Sequence, residues 1–272
     1  MNTNSECISE TFSQDIPCEF TGRKEYSSGI NTFKQVDFHD CVSTTQGGAI
    51  ACSGTDTQLF VESCSFSSCS AFEKGGSIHT NSLHTLEVKQ SIFYKCSTET
   101  TVDNQGSGAI WISGIQTKLS LFQTDFISCI TNASGGAFSV WSCSNQIQGP
   151  QIINSCRFLD CNAITQTPDG GAMAVWTNSG FIGFMNCLIS RCNADYGGAL
   201  SHYVSNYQSE SHPFRYSFFN HNTGSQGNDI FFLSSPSSIP LLSCFSTSTS
   251  PRICNGNYDN WLALTSRDLD FD

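Results

Sequence analysis

Cysteine is the residue in this 272-residue chain with the most obvious capacity for metal or redox chemistry, since it occurs 15 times. Pairs such as Cys64 and Cys69 present thiols, which zinc accepts as ligands. Phe66 lies between these two cysteines, and such alternation favours a core in which the thiols behave as small hydrophobes. We therefore predict that the chain has neither a metal site nor a bound cofactor.

Carboxylates and histidines are the residues that a glycan-cleaving site would need. The chain contains a repeated Phe-x-x-Cys motif, described below. At the position before its phenylalanine, and at the position before its cysteine, no two neighbouring repeats both have a carboxylate. His79 and His202 lie on the same side but four repeats apart, about 19 Å at the strand spacing of a sheet, too far to share a metal ion. We predict no catalytic residues from these patterns.

Aromatic residues form a third group that could recognise a ligand. Trp141, Trp176 and Tyr203 occupy the same position of three consecutive repeats, and Trp111 lies close by. Rings that are exposed together on one wall suit binding to sugars or to a protein partner. We predict that these four residues form a binding surface; the alternative is that the loops 140–150 and 203–212 cover and bury them.

Two short motifs alternate along the chain and set the positions of these residues. One resembles Gly-Gly-Ala-Ile and the other Phe-x-x-Cys. The glycine tetrads begin at Gly47, Gly75, Ser107, Gly135, Gly170, Gly197 and Gly227, and the second motif ends at Cys41, Cys69, Cys96, Cys129, Cys161, Cys192 and Asn222. A period of roughly 30 residues indicates a stacked-repeat architecture.

Within a repeat, the apolar or small residues follow steps of two, three, two and three positions, as in Leu59, Val61, Cys64, Phe66 and Cys69. A step of two keeps side chains on one face of a strand, whereas a step of three reverses the parity and requires a bend. Two strands therefore precede the last cysteine, and the glycine tetrad opens a third. Three short strands per coil predict an all-β, parallel β-helix of about seven coils.

The repeats cover residues 31–233, and we predict that the flanking residues 1–30 and 234–272 cap the open ends of the stack.

A formal net charge of −11 and the lack of a basic run argue against nucleic acid as a partner. No signal peptide and no 18-residue apolar run are visible, so we expect no transmembrane helix. The cysteines suit an oxidising exterior and the missing export signal suits the cytoplasm, which leaves both thiols and disulfides open.

The paired motifs over residues 31–233 resemble the repeat of the polymorphic outer membrane proteins, which are right-handed parallel β-helix proteins of bacterial surfaces. Cysteine stands where that family has the asparagine of Phe-x-x-Asn, except at Phe219–Asn222. The resemblance implies a right-handed coil and a non-enzymatic, adhesin-like protein at the cell surface or outside the cell, with a glycan or protein partner. The alternatives are a polysaccharide lyase or hydrolase, a purely structural scaffold and, for location, the cytoplasm.

Overall fold

The structure of the chain is a computed structural model. It describes residues 18–99, 106–114, 118–143, 151–164, 169–179, 182–206, 214–225, 228–234, 243–246, 253–255 and 261–262. These ranges contain strands, turns and bridges and no helix, so the predicted all-β class is confirmed.

Thirty strands make up the described part of the chain. They are β1 (Cys18–Phe20), β2 (Lys24–Tyr26), β3 (Ile30–Lys34), β4 (Val36–His39), β5 (Val42–Ser43), β6 (Ile50–Ser53), β7 (Gln58–Glu62), β8 (Ser65–Ser67), β9 (Ser70–Ala71), β10 (Ile78–Asn81), β11 (Thr85–Lys89), β12 (Ile92–Tyr94), β13 (Ser97–Thr98), β14 (Ile110–Ser113), β15 (Lys118–Phe122), β16 (Asp125–Ile127), β17 (Ile130–Thr131), β18 (Phe138–Cys143), β19 (Gln151–Asn154), β20 (Arg157–Leu159), β21 (Asn162–Ala163), β22 (Met173–Ser179), β23 (Ile182–Met185), β24 (Leu188–Ser190), β25 (Leu200–Asn206), β26 (Phe214–Asn220), β27 (Ile230–Ser234), β28 (Ser243–Ser246), β29 (Ile253–Asn255) and β30 (Trp261–Leu262).

Parallel pairing between successive turns arranges these strands as three walls around a core, which confirms the predicted parallel β-helix. Wall 1 contains β2, then the seven strands that follow the glycine tetrads, β6, β10, β14, β18, β22, β25 and β27, and at its end β29 and β30. Wall 2 contains β3, β7, β11, β15, β19 and β23, and wall 3 contains β1, β4, β8, β12, β16, β20 and β24; the long strand β26 joins these two walls. Five two-residue strands, β5, β9, β13, β17 and β21, form a fourth, narrow stack.

The solenoid has about six turns, where the repeats predict about seven coils. The difference is small. Residues 1–17 and most of 235–272, which belong to the predicted caps, lie outside the described residues. Inside those caps, β1 and β2 pair in parallel with the following turn, whereas β30 pairs antiparallel with β29.

The core contains a column of phenylalanines with one isoleucine. Its members occupy one register position on successive strands of wall 3 and are fully buried: Phe38, Phe66, Phe93, Phe126, Phe158, Ile189 and Phe219. Neighbouring rings in the run from Phe38 to Phe158 have centroids 4.6–4.9 Å apart and planes within 7° of each other. The ring spacing equals the strand spacing of a sheet, so the rings stack without distorting the wall.

Each step of three contains a residue in the left-handed conformation, which is how the chain bends and still points its next apolar residue inward. These residues have φ between 47° and 56° and form two columns, Gln35, Ser63, Gln90, Gln123, Ser155, Asn186 and Tyr216 at the first corner and Asp40, Ser68, Lys95, Ser128, Asp160, Arg191 and His221 at the second. A left-handed residue with a side chain costs roughly 1–2 kcal/mol. Burial of the strands on either side offsets that cost at every turn.

The cysteine column lies beside the aromatic column, inside the solenoid. The Sγ atoms of Cys41, Cys69, Cys96, Cys129, Cys161 and Cys192 each donate a hydrogen bond to a backbone carbonyl of the preceding turn, over 3.3–3.6 Å. The amide of Asn222 continues the column, because its Nδ2 donates to the carbonyl of Ile189 over 3.1 Å. A thiol here therefore makes the same hydrogen bond to the preceding turn as the asparagine that ends the series.

The ten cysteines whose side chains the structure describes are free thiols. Burial raises the pKa of Cys96, Cys129 and Cys161 well above the ordinary range of a thiol, since a thiolate would lose its hydration inside the core. These side chains therefore stay protonated and remain able to donate to the carbonyls beneath them.

Candidate functional site

Wall 1 carries the four aromatic residues that the sequence predicts as a binding surface. Alternation along β14 points Ile110 and Ile112 into the core and Trp111 and Ser113 outward. A glycine tetrad precedes each strand of this wall from β6 to β27 at the same position, so the outward residues of successive turns fall into columns. We use the name aromatic face for the outward side of β14, β18, β22 and β25.

Two columns of outward residues run along the aromatic face. The column that starts at Ser113 contains Trp141, Trp176 and Tyr203 on the next three turns, as the repeat alignment predicts. The rings of Trp141 and Trp176 stack with centroids 4.8 Å apart and planes 7° from parallel. Both indoles remain partly exposed. The side chain of Tyr203 lies outside the described part of the structure, as do 144–150 and 207–213, most of the two loops named as possible covers.

Trp111 is placed differently from the other two tryptophans. It belongs to the neighbouring outward column, where its register partner is His79, and the two rings stack at 4.9 Å with planes 4° apart. The Lys74 ammonium lies 4.6 Å from the centroid of the Trp111 ring. Only 5% of Trp111 is exposed, so this indole packs within the face and offers little open contact surface.

The two histidines lie in the same wall, as the repeats predict, but on opposite faces of its sheet. His79 points outward against Trp111, whereas His202 shares the inward parity of Leu200 and is 1% exposed. Burial, with smaller contributions from Lys74 and Arg23, lowers the pKa of His79 to about 3, and burial lowers that of His202 to about 4. Both rings are neutral at pH 7, and the described residues contain no cluster of three metal-ligating side chains.

Asp125 in wall 3 and Asp160 at the corner that follows it each form an ion pair with an arginine of the next turn. Arg157 Nε donates to Asp125 Oδ1 over 2.7 Å and its Nη2 contacts Asp125 Oδ2, while Arg191 donates to both oxygens of Asp160 over 2.7 Å. A hydrogen bond from Arg191 is the main cause of the lowered pKa of Asp160. The two arginine–aspartate pairs therefore link neighbouring turns through bidentate contacts.

Asp169 is a carboxyl group that the sequence patterns do not single out. It lies immediately before the glycine tetrad of the fifth turn, where its carbonyl accepts from the amide of Gly135 over 2.8 Å and its own amide donates to Ser134 Oγ over 3.2 Å. Burial raises the pKa of Asp169 to about 6. Its position before Gly170 was visible in the sequence, but its burial depends on the neighbouring turns.

This raised pKa predicts a stability that falls as the pH rises. Between the unfolded pKa, about 3.9, and the folded value the native carboxyl binds more protons than the unfolded one, so folding loses stability up to about pH 6. Asp169→Asn keeps the backbone contacts and removes the charge, so we expect it to stabilise the fold by about 1–2 kcal/mol at pH 7 and to have little effect at pH 4.

Urea unfolding of the wild type and of Asp169→Asn at pH 4, 5, 6 and 7 measures this difference directly. Asp56→Asn removes an exposed carboxyl and serves as the control. A difference between wild type and Asp169→Asn that stays constant across the four pH values would contradict the prediction.

Within the described ranges, no helix has the length and apolar character needed to span a bilayer. Comparison of the chain with protein-family models, with curated proteins and with solved structures finds no match in any of the three.

Proposed function

We propose that this protein is a non-enzymatic, adhesin-like binding protein that contacts a glycan or a protein partner through the aromatic face. The observation that carries the proposal is the pair of stacked, partly exposed indoles of Trp141 and Trp176. Large apolar rings held together at a surface are typical of interaction sites, because their contact with water is relieved when a partner covers them.

The strands that carry these two side chains also suit the binding of a ligand. Their strands, β18 and β22, pair in register over four consecutive positions before a bulge, between two further parallel strands of the same wall. A site on strands that are held from both sides loses little conformational freedom when a ligand binds. The aromatic face therefore provides a prearranged contact surface.

The test is the double substitution Trp141→Ala with Trp176→Ala. We expect at least a tenfold loss of binding to cells and to an array of immobilised glycans, because truncation removes both rings from the contact surface. The control is Tyr94→Ala, which removes a 39%-exposed aromatic ring from wall 3. Unchanged binding by a double variant that keeps the circular dichroism spectrum of the wild type would rule out this face as the site.

A glycan-cleaving enzyme is the second candidate, and one observation favours it. Asp169, with its pKa raised to about 6, is the kind of carboxyl that can hold a proton near neutral pH and deliver it to a leaving group. Incubation with neutral and acidic polysaccharides, followed by assays for reducing and unsaturated sugar ends, tests this function. Release of such ends by the wild type and its loss in Asp169→Asn would favour the enzyme over the adhesin.

The proposed location is the cell surface or the exterior, by the resemblance of the repeat to that of polymorphic outer membrane proteins. The free thiols of the cysteine column support the cytoplasm as the alternative, because unpaired buried thiols are common where the environment is reducing. In either compartment the net charge of −11 disfavours nucleic acid as the partner.

A further inference from the structure

We propose that wall 1 contains, at the β14 edge of the aromatic face, a subsite for one uncharged pyranose ring, located over Ser113 between Trp141 and Asn81. This inference rests on the proposed function, since it names the ligand class of the same surface. It commits to the neutral terminal sugar of a glycan, and recognition of an aromatic side chain of a protein partner is treated as a contrary outcome of the test.

The first part of the argument is which side of Trp141 is available. Trp176 covers one face of the Trp141 ring, because the two indoles stack at 4.8 Å. On the other side, the register partner of Trp141 is Ser113, whose side chain is a single hydroxymethyl group. A group of that size cannot cover an indole, so within the described part of the chain the ring face of Trp141 toward Ser113 borders a gap in the column.

The gap extends for more than one turn. Asn81 follows Ser113 in the same column, and Ser53 follows Asn81. With turns about 4.8 Å apart, roughly 10 Å separates the position of Trp141 from that of Asn81 along the wall. A pyranose ring fits into that length with one of its C–H faces against the indole, the arrangement in which an amphipathic ring contacts an aromatic one.

The base of the gap is polar and ordered. Asn81 Oδ1 accepts hydrogen bonds from Ser113 Oγ over 3.0 Å and from Ser82 Oγ over 3.2 Å. Because both hydroxyls hold the oxygen of this amide, its Nδ2 group is oriented away from them, and Asn81 itself is exposed. An amide donor and a serine hydroxyl beside an aromatic face are the groups that orient a sugar through its hydroxyls.

Within this column, the lack of charged side chains favours a neutral ring over an acidic one. The column from Ser53 through Asn81, Ser113, Trp141 and Trp176 contains no charged residue, so a uronate carboxyl placed here would have no cation as a neighbour in that column. The formal charge of −11 adds a general repulsion of anions. A neutral hexose or N-acetylhexosamine has no carboxylate that needs a cation, and the negative charge of the protein does not repel it.

The test uses the full chain and a panel of methyl pyranosides, namely the α and β methyl glycosides of glucose, galactose, mannose and N-acetylglucosamine, with methyl glucuronide as the acidic comparison. Saturation-transfer NMR detects weak binding, and titration gives the dissociation constant. For one ring we expect a value on the order of 1–10 mM for at least one neutral glycoside, as is typical of a small polar ligand. The glucuronide is expected to bind at least fivefold more weakly.

Ser113→Leu fills the proposed gap while leaving Trp141 and Trp176 in place, and we expect it to weaken binding of the neutral glycoside at least tenfold. Ser53→Leu is the matched control, since it makes the same change at an exposed position of the same column two turns away. It should bind as the wild type does. Trp141→Ala should abolish binding even where Ser113 is intact.

Three results would overturn the subsite: no glycoside of the panel binds, the glucuronide binds as tightly as its neutral relatives, or Ser113→Leu binds like the wild type. The proposed function fails separately, when the Trp141 and Trp176 double variant keeps its binding to cells and glycans. Loss of cell binding in the double variant, together with no effect of Ser113→Leu, would retain the aromatic face and reject the pyranose site. Blocking of a protein partner by Ser113→Leu without any sugar binding would likewise reject it.

Discussion

Gly136→Ala is expected to prevent successive turns of the solenoid from stacking. The variant should lose more than about 4 kcal/mol of folding free energy or fail to fold. Gly136 is the second glycine of the fourth tetrad. A methyl group there would overlap the carbonyl oxygen of Gly171 in the next turn and lie 2.5 Å from the amide nitrogen of Asn162. Both obstacles are backbone atoms of the next turn, so no side-chain rotation relieves the clash.

Circular dichroism and urea unfolding of the purified variant measure this effect. Gly183→Ala is the matched control, because a methyl group at Gly183 meets its nearest atom, the carbonyl oxygen of Gln151, only at 3.6 Å. We expect the control to be neutral or slightly stabilising, since alanine restricts the unfolded chain. A folded Gly136→Ala protein with nearly wild-type stability would show that the turns are not packed backbone to backbone at this tetrad.

Phe126→Ala is expected to destabilise the fold by about 3–5 kcal/mol, the usual cost of truncating a fully buried phenylalanine. Phe126 stands in the middle of the aromatic column, with its ring 4.9 Å from that of Phe93 and 4.8 Å from that of Phe158. Truncation leaves a cavity that the regular stacking of turns cannot close, and it removes two ring–ring contacts.

Phe72→Ala makes the same truncation on a side chain that is 54% exposed and should change the stability by no more than about 0.5 kcal/mol. Urea unfolding of both variants, followed by tryptophan fluorescence and circular dichroism, compares them directly. Equal stability losses for Phe126→Ala and Phe72→Ala would contradict the assignment of Phe126 to a continuous core column.

The spacing of residues predicted the walls because it reports local geometry. Leu59, Val61, Cys64 and Phe66 alternate inward within strands and change parity at a corner, and the structure buries all four. The conformation of that corner was not predictable in the same way. Ser63 adopts φ 54° although serine has no strong preference for it, because the position is imposed by the strands on either side.

The aromatic face was predictable in register but not in exposure. The tetrads place Trp141 and Trp176 opposite each other, as the alignment of the repeats requires. The burial of Trp111, in contrast, comes from His79 and Lys74, which reach it from the preceding turn. Lateral neighbours of this kind depend on side-chain size and loop length in another repeat, which the spacing within one repeat does not encode.

The sequence by itself therefore determined the parallel stacking, the inward cysteine and phenylalanine columns, and the wall that Trp111, Trp141 and Trp176 share. It could do so because a repeated step pattern specifies which way each side chain points along its own strand. Only the tertiary structure decided which groups meet between turns: the thiols that donate to backbone carbonyls, the arginine–aspartate pairs, the raised pKa of Asp169 and the gap beside Trp141. These contacts join residues roughly 30 positions apart, and their energies depend on burial and distance across turns.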